Sequence, residues 1–165
     1  MSVDVLWVPM EARHIPGVDV VADFVHPGLP ERTAVFLERL CLFPRGCMVL
    51  ESGGEVVGYG VGHPWYSGMV PELDSFLGGV PGDADMMYLH DIAVLPGHRG
   101  GRSRHYVGYM RDLAVGMGLG SLGLVSVYGT SVLWGRMGFV VSFGPELGSY
   151  GDAVYMVAQT GDVVF

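Results

Sequence analysis

The feature that most narrows the folding options is a strand, a glycine loop and a helix joined without a spacer. Residues 86–95 form a β-prone run stopped by Pro96, whose fixed φ and missing N–H end a strand. His98-Arg99-Gly100-Gly101-Arg102-Ser103 follows, and then Val107, Met110, Ala114 and Met117 recur on one helical face. A helix start preceded by small residues offers unpaired N–H groups and the positive end of a dipole, which suits an anion. Gly100, Gly101 and Ser103 let oxygens approach the backbone, and Arg99, Arg102 and Arg104 place three of the nine basic residues within six positions. A phosphate-bearing ligand is the favoured reading, and a solvated helix start is its competitor. The spacing is neither a P-loop nor a dinucleotide fingerprint.

That unit lies in a chain of 165 residues, long enough for a single domain over 1–165 to bury a core without disulfides or a structural metal. Periodicity predicts strands at 3–8, 47–51, 55–62, 86–95, 122–127, 139–143 and 153–157. Helices are expected within 11–25, where Pro16 and Gly17 interrupt, at 31–42, after Ser103, and at 131–137. The order β-α-α-β-β-β-α-β-α-β-β describes a mixed α/β domain. Between Tyr66 and Asp85 runs a long connection of the kind that carries function, and Pro71-Glu72 ahead of Leu73, Phe76 and Leu77 predicts one short helix inside it.

Composition removes several classes of function. Half the residues are hydrophobic and 16% charged, unlike a disordered or collagen-like chain. A net charge of -8 argues against a nucleic-acid or anionic-membrane partner, and mildly for a cationic small molecule. The chain has no Lys, hence no lysine Schiff base, and no Asn. Cys41 and Cys47 match no metal or redox spacing and read as free thiols of a reducing compartment. Met1-Ser2-Val3-Asp4-Val5 does not resemble a leader, so a cytoplasmic location is expected. Residues 113–135 carry no charge over a length that could span a membrane, but six glycines and Ser121, Ser126, Thr130 and Ser131 divide the stretch into three elements. The six histidines form no pair at ligand spacing, so no metal is expected.

In the frame His98-Arg99-Gly100-Gly101-Arg102-Ser103 the chain resembles the GNAT superfamily of acyl-CoA-dependent N-acyltransferases, whose pyrophosphate loop reads Q/R-x-x-G-x-G/A after a strand ending V-x-P. His98 stands for Gln/Arg and Ser103 for the last Gly/Ala. Three more stretches are similar in the same order: Glu55-Val56-Val57-Gly58-Tyr59, residues 127–139 closing on Gly138-Phe139, and residues 147–156. The resemblance covers 45–157 and implies a GNAT-like mixed β-sheet flanked by helices, with strands 86–95 and 122–127 parallel and splayed to admit acetyl-CoA. It implies that Ile92, Ala93 and Val94 lie along the pantetheine arm, with backbone groups of Val94 pairing with it. The amides of Gly100, Gly101, Arg102 and Ser103, beside His98 and Arg99, would hold the pyrophosphate. Ser131, in place of the family's frequent Asn, and Trp134 would complete the cofactor site. The implied reaction is acetyl transfer from acetyl-CoA to the amine of a small molecule by direct attack, without an acyl-enzyme. A non-catalytic or regulatory acyl-CoA-binding module is the alternative, motivated by Trp134 at a position where the family has Tyr.

Direct attack requires that the amine lose a proton, and the departing thiolate benefits from gaining one. His90 is the expected base, since an imidazole with pKa near ~6.5 accepts a proton at neutral pH; a packed structural His is the rival reading. Strand alternation puts Tyr88, His90 and Ile92 on one face and Leu89, Asp91 and Ala93 on the other, so little pairing between His90 and Asp91 is expected. Asp91 is the second candidate base. Tyr150 is the preferred acid, with Tyr128 or water as substitutes. Tyr88, His63 and Trp65 are candidates for the acceptor pocket, which is expected between the 14–30 region and the 66–85 connection with its acids Glu72, Asp74, Asp83 and Asp85. A homodimer stays open.

Overall fold

Two β-branched runs separated by Gly53 and Gly54, both at positive φ, close a tight hairpin, and the sheet grows outward from it. The computed structural model describes residues 3–165; Met1 and Ser2, part of the leader reading, lie outside the described residues. The elements are β1 (Val5–Pro9), α1 (Ile15–Val25), α2 (Thr33–Leu42), β2 (Cys47–Ser52), β3 (Glu55–Trp65), β4 (Met86–Val94), α3 (Ser103–Gly116), β5 (Ser121–Val127), α4 (Ser131–Gly135), β6 (Val140–Val141) and β7 (Ala153–Gln159). Their order is the expected one. Pro16 does not break α1, because it occupies the first turn, where its missing N–H costs nothing.

The seven strands form one sheet in the order β1-β2-β3-β4-β5-β7-β6, antiparallel except for the central β4–β5 pair. One face is covered by α1 and α2, whose Val18, Val21 and Phe36 pack on Val49, Tyr59, Val61 and Ala93. The other is covered by α3, whose Tyr106, Val107, Met110 and Ala114 pack on Met87, Leu89, Leu122 and Leu124. Met117, expected on that face, is exposed; Gly118 at φ 74 turns the chain so that Leu119 packs there instead. The predicted strand at 139–143 shrinks to Val140–Val141.

The helix expected after Pro71 is absent, for an identifiable reason. Asp74 sits at φ 55, outside the helical region, and side chains elsewhere take the local amides. Leu73 N donates to Ser149 Oγ, Asp74 N to Glu31, and Leu77 N and Gly78 N to Glu38.

Two irregularities of β4 create the site. First, β4 pairs with β5 only at Met87, Tyr88 and Leu89, and beyond Leu89 the two strands part. Second, Val61 of β3 faces Asp91 while Gly62 faces Leu89, so His90 is an extra residue, a β-bulge. The bulge reverses the alternation. Leu89 and Ile92 both pack toward α3, while Asp91 and Ala93 face α1 and α2.

Candidate active site

Where β4 and β5 part, a cavity of about 530 Å³ opens. His90, Asp91, Ile92, Ala93 and Val94 form one wall, Leu124, Val125 and Val127 the opposite one, and the loop after β4 one end. Val25, His26, Leu29 and Glu31, around the α1–α2 connection, close the other side.

At the loop end, Gly100 and Gly101 adopt φ of 52 and 81, a left-handed geometry that favours glycine. The turn engages the Arg102 amide with Arg99 O at 3.0 Å, while the amides of Gly100, Gly101 and Ser103 meet no acceptor within the described residues. Arg99, Arg102 and Arg104 line the cavity, and none has a carboxylate within ion-pair distance among the described residues. Open amides and unneutralised guanidiniums at a helix start fit the diphosphate of an acyl-CoA. Val94 lines the wall, and its carbonyl accepts from Arg99 Nε at 3.0 Å. Neither His98 nor Gly100 is on the wall, and the His98 carbonyl instead holds Arg102 Nη1 at 2.9 Å.

Trp134 lies on the cavity wall with its indole N–H bonded to Thr130 Oγ1 at 3.2 Å, whereas Ser131 does not line the cavity. Thr130 does, and its hydroxyl donates to Val127 O at 2.7 Å, tying α4 to the end of β5.

The bulge places His90 and Asp91 side by side on the α1–α2 face, overturning the expected alternation. They do not bond to each other. His90 Nε2 lies 2.9 Å from Glu31 Oε1, with both side chains nearly inaccessible, at 1% and 4% exposure. Because a carboxylate oxygen accepts, His90 Nε2 donates to Glu31, and the buried Nδ1 has no partner. Asp91 accepts from His26 Nε2 at 2.9 Å and from the Tyr59 hydroxyl. Burial alone would raise the Asp91 carboxyl, but the charge and hydrogen bond of His26, with help from His90 and Tyr59, hold it below its ordinary value. Burial pulls His26 down, and the adjacent Asp91 outweighs it, leaving the imidazole above its ordinary value. His26 Nδ1 is also buried without a partner, and its ring stacks on Tyr128 at 5.7 Å.

Tyr150 lines the cavity and donates to Pro71 O at 3.1 Å, with burial pushing its phenol up to about 12. Tyr128 also borders the cavity, at a φ of 57. Tyr88, His63 and Trp65 do not line the cavity, and the His63 ring packs on Trp65 and on Tyr88 with centroids 5.3 and 5.6 Å away. Burial drives His63 down to about 3, so it is neutral. Three of the four acids of the 66–85 connection are otherwise engaged, and Glu72 does not line the cavity. Asp74 holds Arg32, Asp83 accepts from Tyr66, and Asp85 accepts from Ser67 N. The cavity's acids are Glu31 and Asp91. Glu31, His26 and Tyr59 were not marked by sequence; their partners lie 59, 65 and 32 residues away, and no local spacing encodes such contacts.

Among the described residues no group of three or more His, Cys, Asp or Glu could hold a metal, and no helix is long and apolar enough to cross a membrane. The model of the acetyltransferase (GNAT) family matches residues 19–127. No curated protein matches the chain. Among solved structures, the chain is similar to the ribosomal-protein-S18-alanine N-acetyltransferase from Escherichia coli, at 17% identity, 95% and 94% coverage of this chain and that one, and a TM-score of 0.65. It is similar to the GphF GNAT-like decarboxylase in complex with isobutyryl-CoA, at 14% identity, 95% and 99% coverage and a TM-score of 0.73. The NatC complex bound to Gag peptide and CoA includes a third similar chain, at 18% identity, 96% and 99% coverage and a TM-score of 0.70. At these identities the likeness is one of fold.

Proposed function

Since the chain belongs to the GNAT acetyltransferase family, we propose that it moves an acetyl group from acetyl-CoA to the amine of a small molecule, with His90 as the proton acceptor. The observation that carries this reading is His90 in the cavity lining, with Nε2 bonded to Glu31 and no partner on the buried Nδ1. Acetyl-CoA supplies the acetyl group as a thioester. The open amides of Gly101 and Ser103, with Arg99, Arg102 and Arg104, would hold its diphosphate, and the gap between β4 and β5 its arm.

The chain's own part is proton handling and orientation. The bond to Glu31 keeps the His90 proton on Nε2 and stabilises the imidazolium formed when Nδ1 accepts a proton, as a buried carboxylate does behind a catalytic histidine. Tyr150, which lines the cavity and is held protonated by burial, is the candidate to return a proton to the leaving sulfur. Glu31 and Asp91, as the acids of the cavity, suit a cationic amine and support the small-molecule reading. The free thiols Cys41 and Cys47 support a cytoplasmic location.

Thiol release from acetyl-CoA over a panel of primary amines tests this. The wild type is expected to turn over at least one of them, and His90→Gln to lower kcat roughly 10²–10⁴-fold with the acetyl-CoA dissociation constant nearly intact. Full turnover by His90→Gln would move the base to His26. Tight acetyl-CoA binding with no turnover on any amine would favour the non-catalytic module.

A further inference from the structure

Glu31, the carboxylate that holds His90, lies in the connection between α1 and α2, where no helix or strand fixes it. Among the described residues it receives two donors. His90 Nε2 is one, 2.9 Å from Oε1 and 3.0 Å from Oε2. The other is the backbone N–H of Asp74, 3.1 Å from Oε2, which comes from the connection between β3 and β4. The terminal torsion of a Glu side chain is broad, so one partner leaves its carboxylate free to turn, and a second donor from a separate segment fixes it.

The Asp74 amide is itself held in place. The Asp74 carboxylate accepts the Arg32 backbone N–H at 2.7 Å and the Arg32 Nε–H at 3.1 Å, and Arg32 Nη2 donates to the Asp74 carbonyl at 3.0 Å. Glu31 and Arg32 thus grip one residue, the first by its N–H and the second by its carboxylate and carbonyl. The Arg32 guanidinium also lies 5.0 Å over the Phe76 ring. Asp74 takes a φ of 55, a left-handed conformation that costs a non-glycine residue energy and persists only where its surroundings impose it. The Arg32 and Asp74 side chains are 57% and 36% exposed, and an ion pair so exposed contributes little to stability. Backbone strain held by such a pair points to a role other than stability.

The same stretch reaches the second proton-handling group. Pro71 O accepts from the Tyr150 hydroxyl at 3.1 Å, Leu73 N donates to Ser149 Oγ at 3.1 Å, and Leu73 lines the cavity. Residues 71–74 therefore join the carboxylate behind His90 to Tyr150.

We propose that Asp74 is a positioning residue: gripped by Arg32, its N–H orients the Glu31 carboxylate and, through it, the His90 ring. This rests on the acetyl-transfer reading, in which His90 accepts the proton of the amine. Neither Asp74 nor Arg32 lines the cavity, so their influence on the reaction passes through Glu31.

Asp74→Gly, Asp74→Asn and Arg32→Met, made in the whole chain, test this. Gly suits the left-handed φ and removes the carboxylate; Asn tolerates that φ and keeps an oxygen for the Arg32 amide. Two readouts are taken: acetyl transfer to an amine the wild type accepts, and nitrogen NMR of isotopically labelled histidine rings without ligand, with the His90 signals identified by their loss in His90→Gln. The wild type should show the His90 proton held on Nε2. In Asp74→Gly that signature should give way to exchange of the proton between the two ring nitrogens, with kcat down roughly tenfold or more and the acetyl-CoA dissociation constant nearly intact. Arg32→Met, which leaves the backbone half of the grip, should move both readouts the same way, with kcat down about threefold or more. Asp74→Asn should keep the wild-type signature and most of the rate. Should Asp74→Gly not fold, Arg32→Met, a change to an exposed side chain, decides. An unchanged ring signature or an unchanged kcat in a folded Asp74→Gly or Arg32→Met overturns the proposal, and so does a loss in Asp74→Asn equal to that in Asp74→Gly. A wild type that transfers to no amine, but whose His90 signature still follows Asp74 and Arg32, would instead sink the acetyl-transfer reading and leave the positioning role standing.

Discussion

At the residue scale, the site holds two histidines, each with Nε2 on a carboxylate and Nδ1 bare, so the two compete for the same role. Burial separates them. Glu31 and His90 are almost wholly enclosed, whereas the side chains of His26 and Asp91 keep 14% and 13% exposure. Glu31→Gln preserves an acceptor for Nε2 and removes the charge that stabilises the imidazolium. Its kcat should drop roughly 10²-fold with the acetyl-CoA dissociation constant little changed, and an unaltered kcat would exclude Glu31 from the proton path. The second pair announces itself in stability. Asp91, held below its ordinary 3.8, contributes stability present above that pH and lost as pH falls through its lowered pKa. His26, held above 6.5, contributes stability fully present below 6.5 and lost as pH rises through its raised pKa. Both contributions coexist between about pH 4 and 6.5. The difference in urea midpoint between wild type and Asp91→Asn should be widest in that window and narrow on both sides; a difference constant from pH 4 to pH 9 would deny the linkage.

At the scale of elements, hydrophobic periodicity made the order of strands and helices legible, because period 2 and period 3.6 are written in neighbouring residues. The bulge at His90 was not legible. A single extra residue leaves the composition of a strand unchanged and reverses every side chain beyond it, so alternation misassigned Asp91 and Ile92. Pro71 likewise gave a true helix-start signal that distant Glu31, Glu38 and Ser149 overrode by taking the amides. The glycine turn after β4 was legible because the left-handed geometry of Gly100 and Gly101 is a local requirement. Gly101→Asp introduces a carboxylate there with open space around its Cβ, so stability should fall by only about 1 kcal/mol, from the left-handed backbone. The acetyl-CoA dissociation constant measured by calorimetry should nevertheless rise at least tenfold, and an unchanged value in the folded variant would remove the diphosphate from this loop. On the sheet, Tyr106 of α3 lies flat over Gly60, where an added Cβ would fall 2.5 Å from the ring. Gly60→Ala should therefore cost about 1–3 kcal/mol in denaturant unfolding, as overpacking does; a neutral result would mean that α3 can slide without penalty.

For the whole molecule, the decisive feature is that the two antiparallel halves of the sheet meet along only three residue pairs, Met87–Leu122 to Leu89–Leu124. A ligand bound in the gap beyond them touches β4, β5 and the start of α3 at once, and so supports the seam where the sheet itself does not. Acetyl-CoA at 100 times its dissociation constant should stabilise the fold by about 2.7 kcal/mol. For a chain of this size that raises Tm by roughly 5–10 °C. The increase should track ligand concentration within one unfolding transition, and two separable transitions would show that the halves fold as independent bodies.

The indole of Trp7, in the first strand, donates to the carbonyl of Arg102 at 3.0 Å across 95 positions of chain. At about 5–20 residues per second, the ribosome takes roughly 5–20 s to deliver the second partner after the first. Over that interval the segment around Trp7 must keep its aromatic side chain from other attachments. The turn after β4 is therefore secured only once both segments have been made, by a residue 95 positions earlier in the chain. A Trp7→Phe protein should accumulate poorly at elevated growth temperature although no wall of the cavity has changed, and normal accumulation would show that the loop holds its shape unaided.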